Sequence, residues 1–131
     1  MPHSEDLLDA ARAVRANAYA PYSNFQVGTA VRTGDGSIVA GCNVENASYG
    51  LAICAERNAL TTAVAQGKRT IVEIAIAGPD GIATAPCGAC RQFIAEFDPA
   101  MPVTYTGPGE PVRTTMEHLL PESFGPRALG R

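Results

Sequence analysis

The sequence predicts an α/β fold in which one mixed β-sheet carries helices on its faces. After a leading helix, the apolar patterns follow the order β-β-α-β-α-β-β, and 46% of the 131 residues are hydrophobic, enough for one core. No repeat, low-complexity run or linker interrupts the chain. We therefore expect residues 1–131 to form a single domain, with residues 126–131 as a flexible tail.

The first 45 residues predict a helix followed by a β-hairpin. Ser4, followed by two acidic residues, is typical of a helix start, and apolar residues then recur at helical spacing until the chain nears Pro21. Apolar side chains alternate through residues 25–33, as in a strand. Asp35-Gly36 is a hairpin turn signal that predicts pairing of this strand with residues 37–45.

Helices and strands alternate through the rest of the chain. After a loop, NASYGL, the segment CAERNALTTAVAQ is predicted as a helix ended by Gly67, and its nearly continuous apolar surface predicts a covered, central helix. Residues 72–78 are predicted as a short apolar strand, and a third helix is predicted to begin in PCGACRQFIAEF. Two further strands, VTYTG and PVRTT, and a short helix within MEHLLPESFG complete the prediction.

Charge and composition exclude several classes of partner. The formal net charge is −3 and the ten Lys and Arg residues are scattered, which disfavours binding to nucleic acid. No segment approaches the roughly 20 apolar residues of a membrane span, and the N-terminus lacks a secretory signal pattern. We expect a cytoplasmic protein, in which four cysteines indicate metal binding or catalysis rather than disulfides.

Three cysteines are predicted to meet at one point. Cys87 and Cys90 form a C-x-x-C at a helix start, where both thiols lie on the same side, and Cys54 begins another helix. Two such helices on one sheet can bring their N-termini together, and three thiolates there would suit zinc. Arg57, one turn beyond Cys54, would offset the negative charge that remains.

The number of protein ligands separates two kinds of zinc site. A structural zinc usually has four protein ligands, whereas a catalytic zinc has three and a water molecule. Cys42 could be a fourth ligand, but we favour a buried core thiol at this position in the predicted strand. Glu56 lies two residues after Cys54 in an apolar run, where burial of a carboxylate is costly without a role. We therefore expect Glu56 to move protons beside the metal.

The combination of motifs resembles a known family. PYSNFQVGTAV, GCNVENASYGLAICAER, PCGACRQ and LLPESFG are similar to segments of the small zinc-dependent cytidine deaminases, over residues 20–125. The resemblance implies a three-layer α/β/α sandwich with a five-stranded mixed sheet, one zinc per chain and a homotetramer. It also implies hydrolysis of cytidine and 2'-deoxycytidine to uridine and 2'-deoxyuridine with release of ammonia, a pyrimidine salvage reaction.

The resemblance also assigns roles to individual residues. It makes Glu56 the catalytic proton carrier, with the zinc ligands Cys54, Cys87 and Cys90 supported by Arg57. Asn43 and Glu45 would hold the ribose hydroxyls, and the backbone at Ala55 the pyrimidine edge. Phe25 and Phe124 would pack on the base, and Tyr49 would reach the site of a neighbouring subunit.

Three alternatives remain open on the sequence alone. Blasticidin-S deaminases have a similar cysteine framework, and activity on the antibiotic rather than on free nucleosides would identify one. A polynucleotide deaminase would need a basic channel, for which this chain offers few residues. A non-catalytic structural zinc module would need four protein ligands and would leave Glu56 without a role.

Overall fold

The computed structural model describes residues 3–131, which form a five-stranded mixed sheet between two layers of helices. The strands are β1 (Gly28–Thr33), β2 (Ile38–Cys42), β3 (Ile71–Ala77), β4 (Pro102–Tyr105) and β5 (Val112–Thr115). Their order across the sheet is β2-β1-β3-β4-β5, and only the β3–β4 pair is parallel. The helices are α1 (Glu5–Arg15), α2 (Ala55–Ala65), α3 (Gly88–Phe97) and the short α4 (Met116–Leu119). The predicted element order and sheet type are confirmed.

Strand alternation gives the sheet two apolar faces. One face of β1 and β3 packs with α1 in a cluster that includes Leu7, Ala30 and Ala75. The opposite face packs with α2 and α3 in the larger cluster, which includes Val31 and Leu60. Neighbouring residues of β1 thus serve different layers, as the period of two requires. No helix within residues 3–131 is long and apolar enough to cross a membrane.

Several elements are shorter than the sequence pattern indicates. Helix α1 ends before Pro21, as predicted, but already at Arg15, and the backbone of Tyr19 pairs with Asn43 and Glu45 beyond the end of β2. The predicted C-terminal helix is a single turn, α4. Within residues 126–131, which the sequence predicts as a flexible tail, a 3-10 helix spans Pro126–Leu129. The domain division itself stays a prediction.

Helix α2 is not covered on all sides as the sequence predicts. Its inner face buries Ala55, Glu56, Ala59, Leu60 and Ala63. Its outer face leaves Thr61, Thr62, Val64 and Ala65 exposed. The two threonine hydroxyls on this face donate to helix carbonyls, so the outer surface of α2 is less apolar than its composition indicates.

Candidate zinc and active site

The three predicted cysteines lie together where two helices begin. Cys54 immediately precedes α2 and Cys87 immediately precedes α3, both with extended backbone, whereas Cys90 is buried in the first turn of α3. The three Sγ atoms lie within 4.8 Å of one another. The two helices pack on the same face of the sheet, which brings their N-termini and the thiols to one point.

This donor set fits zinc. Zinc prefers thiolates at about 2.3 Å in tetrahedral geometry, which places neighbouring sulfur atoms roughly 3.8 Å apart. Unpaired N–H groups at the helix N-termini stabilise the negative charge of thiolates beside them. Cys42 is half-buried and stands outside the cluster, as do the His, Asp and Glu residues of the described chain. Cys54, Cys87 and Cys90 therefore form a zinc site with three protein ligands, as in catalytic sites.

Hydrogen bonds at the cluster favour the ionised form of Cys54. The Cys90 thiol, and after it the Arg57 guanidinium, lower the pKa of Cys54 to about 5. The Arg57 Nη2 atom lies 3.6 Å from the Cys54 Sγ, and this contact raises the pKa of Arg57. Donation to Cys54, together with burial, raises the pKa of Cys90. The Arg57 Nε atom is buried without a hydrogen-bond partner among the described residues.

Glu56 is a buried carboxylate next to the cluster in sequence. It occupies the second position of α2 and is only 5% exposed. Burial raises its pKa to about 7. A group with a pKa near the working pH can both accept and donate a proton, as general acid–base catalysis requires. The position and environment of Glu56 thus permit the proton transfers expected from the sequence.

Asn43 and Glu45 have structural partners that the sequence did not reveal. The Asn43 Oδ1 accepts from the Val27 N–H at 2.8 Å, and its Nδ2 donates to the Phe25 carbonyl at 2.8 Å. One amide N–H of Asn43 remains for another acceptor. The Asn43 side chain thus accepts a hydrogen bond from one backbone group and donates one to another, as a neighbouring strand would, and it fixes the backbone that leads into β1.

Glu45 holds a neighbouring loop in a similar way. Its Oε1 accepts from the N–H groups of Tyr22 and Ser23 at 3.0 and 3.2 Å, and its Oε2 accepts from the Ser23 hydroxyl. The Ser23 hydroxyl is the main cause that lowers the pKa of Glu45 below its usual range. The carboxylate is therefore anionic at neutral pH, with one lone pair left on Oε2. Tyr22 and Ser23 were not predicted as site residues, although both lie in the PYS segment that precedes the first strand.

A pocket of about 290 Å³ lies against Glu45. It is lined by Tyr22, Ser23, Glu45, Asn46, Tyr49 and Ala52. The rings of Tyr22 and Tyr49 are 6.0 Å apart and stand at its wall. The cysteines and Glu56 are not among its lining residues. The structure thus places Glu45 and Tyr49 at one pocket but does not enclose them with the zinc cluster.

The remaining predicted site residues are more dispersed. Ala55 is fully buried at the start of α2, and Phe25 is partly buried against the larger core cluster. Phe124 is 62% exposed, and its carbonyl accepts from the Gln92 side chain at 2.9 Å. Within the single chain, therefore, Phe124 covers no part of the pocket.

Comparison with known proteins identifies what the chain resembles. The profile of the cytidine and deoxycytidylate deaminase zinc-binding region matches residues 1–106. A cytidine deaminase from Halalkalibacterium halodurans is 47% identical over 120 residues, which cover 90% of this chain and 91% of that protein. One from Sporosarcina psychrophila is 42% identical over 127 residues, covering 95% and 93%. The profile and the cysteine cluster together confirm the predicted zinc ligands.

Solved structures agree with the sequence matches. The cytidine deaminase of Burkholderia pseudomallei is 49% identical and superimposes with a TM-score of 0.87, covering 95% of this chain and all of that one. The cytidine deaminase of Mycobacterium leprae is 42% identical with a TM-score of 0.77, covering 90% and 97%. The expected three-layer architecture with a five-stranded sheet is thereby confirmed.

Proposed function

The chain belongs to the cytidine deaminase family, and from that premise we propose that it hydrolyses cytidine and 2'-deoxycytidine to the corresponding uridines with release of ammonia. The observation that carries the proposal is the three-thiol zinc site with buried Glu56 two residues after Cys54. Three protein ligands and a nearby carboxylate with a pKa of about 7 are suited to hydrolysis.

The cysteine ligands and Arg57 prepare the metal site. When bound, zinc supplies the Lewis acidity that lets water act as a nucleophile near neutral pH. Cys54, with its lowered pKa, is ready to bind a cation as thiolate. Arg57 donates to the Cys54 sulfur and offsets part of the negative charge of three thiolates. This arrangement leaves Glu56 free of the metal and available for proton transfer.

Glu56 carries both protons of the attacking water. As the water oxygen bonds to C4 of the pyrimidine, Glu56 takes one proton and delivers it to ring N3. The remaining hydroxyl proton then passes through Glu56 to the amine as the C4–N bond breaks. Ammonia leaves and the product keeps its proton on N3, so the reaction balances as cytidine plus water to uridine plus ammonia. A carboxyl with a pKa of about 7 suits both transfers.

Residues at the ends of strands and loops hold the nucleoside. The free N–H of Asn43 and the remaining lone pair of Glu45 Oε2 can bind ribose hydroxyls, since both side chains are already fixed by the protein. The Ala55 backbone would meet the pyrimidine edge. Phe25 and Phe124 would pack on the base, although Phe124 must be brought to the site by a rearrangement or by another subunit.

A homotetramer is the assembly that we propose for the active protein. The loop between β2 and α2 leaves Tyr49 76% and Leu51 65% exposed, and Ile53 is also exposed. Contiguous apolar exposure of this kind is typical of an interaction surface, and closed symmetric assemblies are the usual way to cover it. Because Tyr49 also lines the pocket, a second subunit seated there would border the nucleoside site.

The cytoplasm is the compartment that we propose. All four cysteines are free, which fits a reducing environment.

A spectrophotometric assay tests the proposed reaction directly. Purified protein loaded with one zinc per chain is mixed with cytidine, and the fall in absorbance and the release of ammonia are followed. We expect turnover of cytidine and 2'-deoxycytidine, and none of blasticidin S. Turnover of the antibiotic without turnover of the nucleosides would reject the proposal, as would a zinc-loaded protein inert toward all three.

A further inference from the structure

The segment Cys54–Arg57 is tied to the end of β2 on both sides. Before it, the backbones of Ile53 and Val44 exchange two hydrogen bonds, of 2.9 and 3.0 Å. After it, the Asn58 Nδ2 donates to the Cys42 carbonyl at 2.8 Å. The four residues that carry the metal ligand and the proton carrier are thus bracketed by contacts to a single stretch of backbone.

That stretch of backbone leads directly into the proposed sugar-binding residues. Cys42 is the last residue of β2, and Asn43 follows it at once. The Asn43 side chain is fixed in turn by the backbones of Phe25 and Val27. A direct connection therefore runs from the first turn of α2, through the hydrogen bond between Asn58 and Cys42 and the peptide bond that follows, to the proposed sugar-binding residue Asn43.

The contact between α2 and β2 leaves little freedom around this bond. A Cβ at Gly41 would stand 2.5 Å from the backbone nitrogen of Ala59, so the helix backbone rests directly on the strand. Asn58 immediately precedes Ala59 and is half-buried at the same contact. Asparagine is a weak helix former, so Asn58 lowers the intrinsic stability of α2. Its side chain instead provides a hydrogen bond from α2 to β2.

We propose that Asn58 is a positioning residue that sets the distance between Glu56 and the proposed sugar-binding residue Asn43. The inference rests on the proposed function, since it assumes that Glu56 and Asn43 act on one nucleoside. Asn58 belongs neither to the zinc ligands nor to the proposed nucleoside-binding residues, and it acts through the Cys42 backbone. A displacement of about 1 Å between reacting groups can cost up to roughly 10²-fold in rate, so one such bond can govern turnover.

Two variants remove the bond in different ways. Asn58→Asp keeps the shape but sets an oxygen against the Cys42 carbonyl, and Asn58→Leu keeps the approximate volume without a donor. Thr62→Val is the matched control, because the Thr62 hydroxyl donates at 2.7 Å to the carbonyl of the same Asn58 but reaches no strand. Asn58→His is the rescue variant. Its Nδ1 is attached to Cγ, as the Asn58 Nδ2 is, and can therefore donate to the Cys42 carbonyl from a similar position.

Each variant is measured for zinc content, thermal unfolding, uridine affinity by calorimetry, and kcat and KM for cytidine. We expect Asn58→Asp and Asn58→Leu to keep one zinc per chain and uridine affinity within about threefold. Their kcat should fall by roughly tenfold or more, and Asn58→His should recover part of this loss. Thr62→Val should match the unmodified protein.

Several outcomes would overturn the inference. An unchanged kcat in a folded, zinc-loaded Asn58→Leu protein would remove the positioning role. Loss of zinc or of the fold in both Asn58→Asp and Asn58→Leu would assign the bond to stability instead. If the unmodified protein fails to turn over cytidine, the proposed function itself fails, and this result is visible before any variant is compared.

Discussion

Gly41 of β2 and Ala59 of α2 meet backbone to backbone. A Cβ built on Gly41 would lie 2.5 Å from the Ala59 nitrogen and 2.9 Å from the Ala59 Cα. Real Cβ atoms do not approach backbone atoms so closely, so the absence of a side chain at Gly41 allows α2 to lie where it does. The consequence reaches the site, because Glu56 and Arg57 are in the first turn of the same helix and Cys54 immediately precedes it.

Gly41→Ala should therefore disturb both stability and zinc binding. The added methyl group must push α2 away from β2, and overpacking of this kind costs about 3 kcal/mol of the free energy of unfolding. Gly109→Ala is the matched control, since a Cβ there meets nothing within 4 Å. Denaturant unfolding and zinc analysis measure the two effects. Equal stabilities of the two variants would show that the helix can shift without cost.

The order of helices and strands was predictable because it depends on residue patterns within short segments. Alternating apolar residues predicted β1, and the Asp35-Gly36 turn predicted its pairing with β2. The end of α1 at Arg15 was not predictable to the residue, because the chain beyond the helix pairs through Tyr19 with residues 43 and 45 of a distant segment. Apolar composition also misled for α2, where threonine hydroxyls bonded to the helix make one face suited to solvent.

The candidate site likewise contains residues that were predictable from the sequence and contacts that were not. The three cysteines and Glu56 were found because spacing at helix starts fixes which thiols can meet. The partners of Glu45 and of Asn58 were missed, since bonds from side chains to backbone depend on how separate segments pack. A polar residue within an apolar helix, such as Asn58, is the feature of the sequence that predicts such a bond.

Replacement of single cysteines should distinguish the three zinc ligands from Cys42, whose thiol lies outside the cluster. Cys54→Ala, Cys87→Ala and Cys90→Ala are each expected to lose zinc and cytidine turnover together, because two thiolates hold the metal poorly. Cys42→Ala should keep both, since Cys42 is outside the cluster. Metal analysis of the four purified variants provides the measurement. Loss of zinc from Cys42→Ala would instead support a site with four protein ligands.

Glu56→Gln should keep the fold and the zinc but lose nearly all turnover. The amide has almost the same shape as the carboxylate but cannot carry a proton. Loss of a positioned acid–base group costs roughly 10²- to 10⁴-fold in rate, and Glu56 is proposed to serve two transfers. Kinetics on cytidine beside zinc analysis give the result. Near-normal turnover by the zinc-loaded variant would exclude Glu56 as the proton carrier.

A second buried carboxylate, Glu73, should contribute to stability alone. It is 3% exposed and accepts hydrogen bonds from the His3 N–H at 2.8 Å and the Ser4 N–H at 3.2 Å. It also accepts from the Ser4 hydroxyl at 2.7 Å and pairs with Arg32 at 3.4 Å. Glu73 thus holds the start of α1, where the Ser4 hydroxyl makes no capping bond of its own.

Glu73→Gln is expected to lower the free energy of unfolding by about 2–4 kcal/mol, because an amide nitrogen must face donors in this buried network. Asp9→Asn removes an exposed ion pair with Arg12 and should cost less than about 1 kcal/mol. Denaturant titrations compare the two, and turnover per folded molecule at 25 °C should be unchanged in both. Similar small losses would mean that the hydrogen-bond network rearranges to accept the amide.

Shared sites between subunits can be detected by mixing two inactive proteins. Glu56→Gln lacks the proposed proton carrier, and Tyr49→Ala lacks the exposed ring that lines the pocket. If Tyr49 of one subunit completes the site of another, co-refolded mixtures contain some sites with an intact Glu56 and an intact Tyr49 from different chains. Activity should then return in part, whereas each protein refolded alone should remain inactive.

Sedimentation of the unmodified protein provides the accompanying measurement. Burial of Tyr49, Leu51 and Ile53 against symmetry-related copies removes apolar surface from water and should yield a mass near that of four chains. Leu51→Glu places a charge in that contact and should shift the mass toward smaller species with loss of turnover, because a buried unpaired charge is costly. A monomer that is fully active at the assay concentration would reject the tetramer, whereas mixtures in which no activity returns would reject sites shared between subunits.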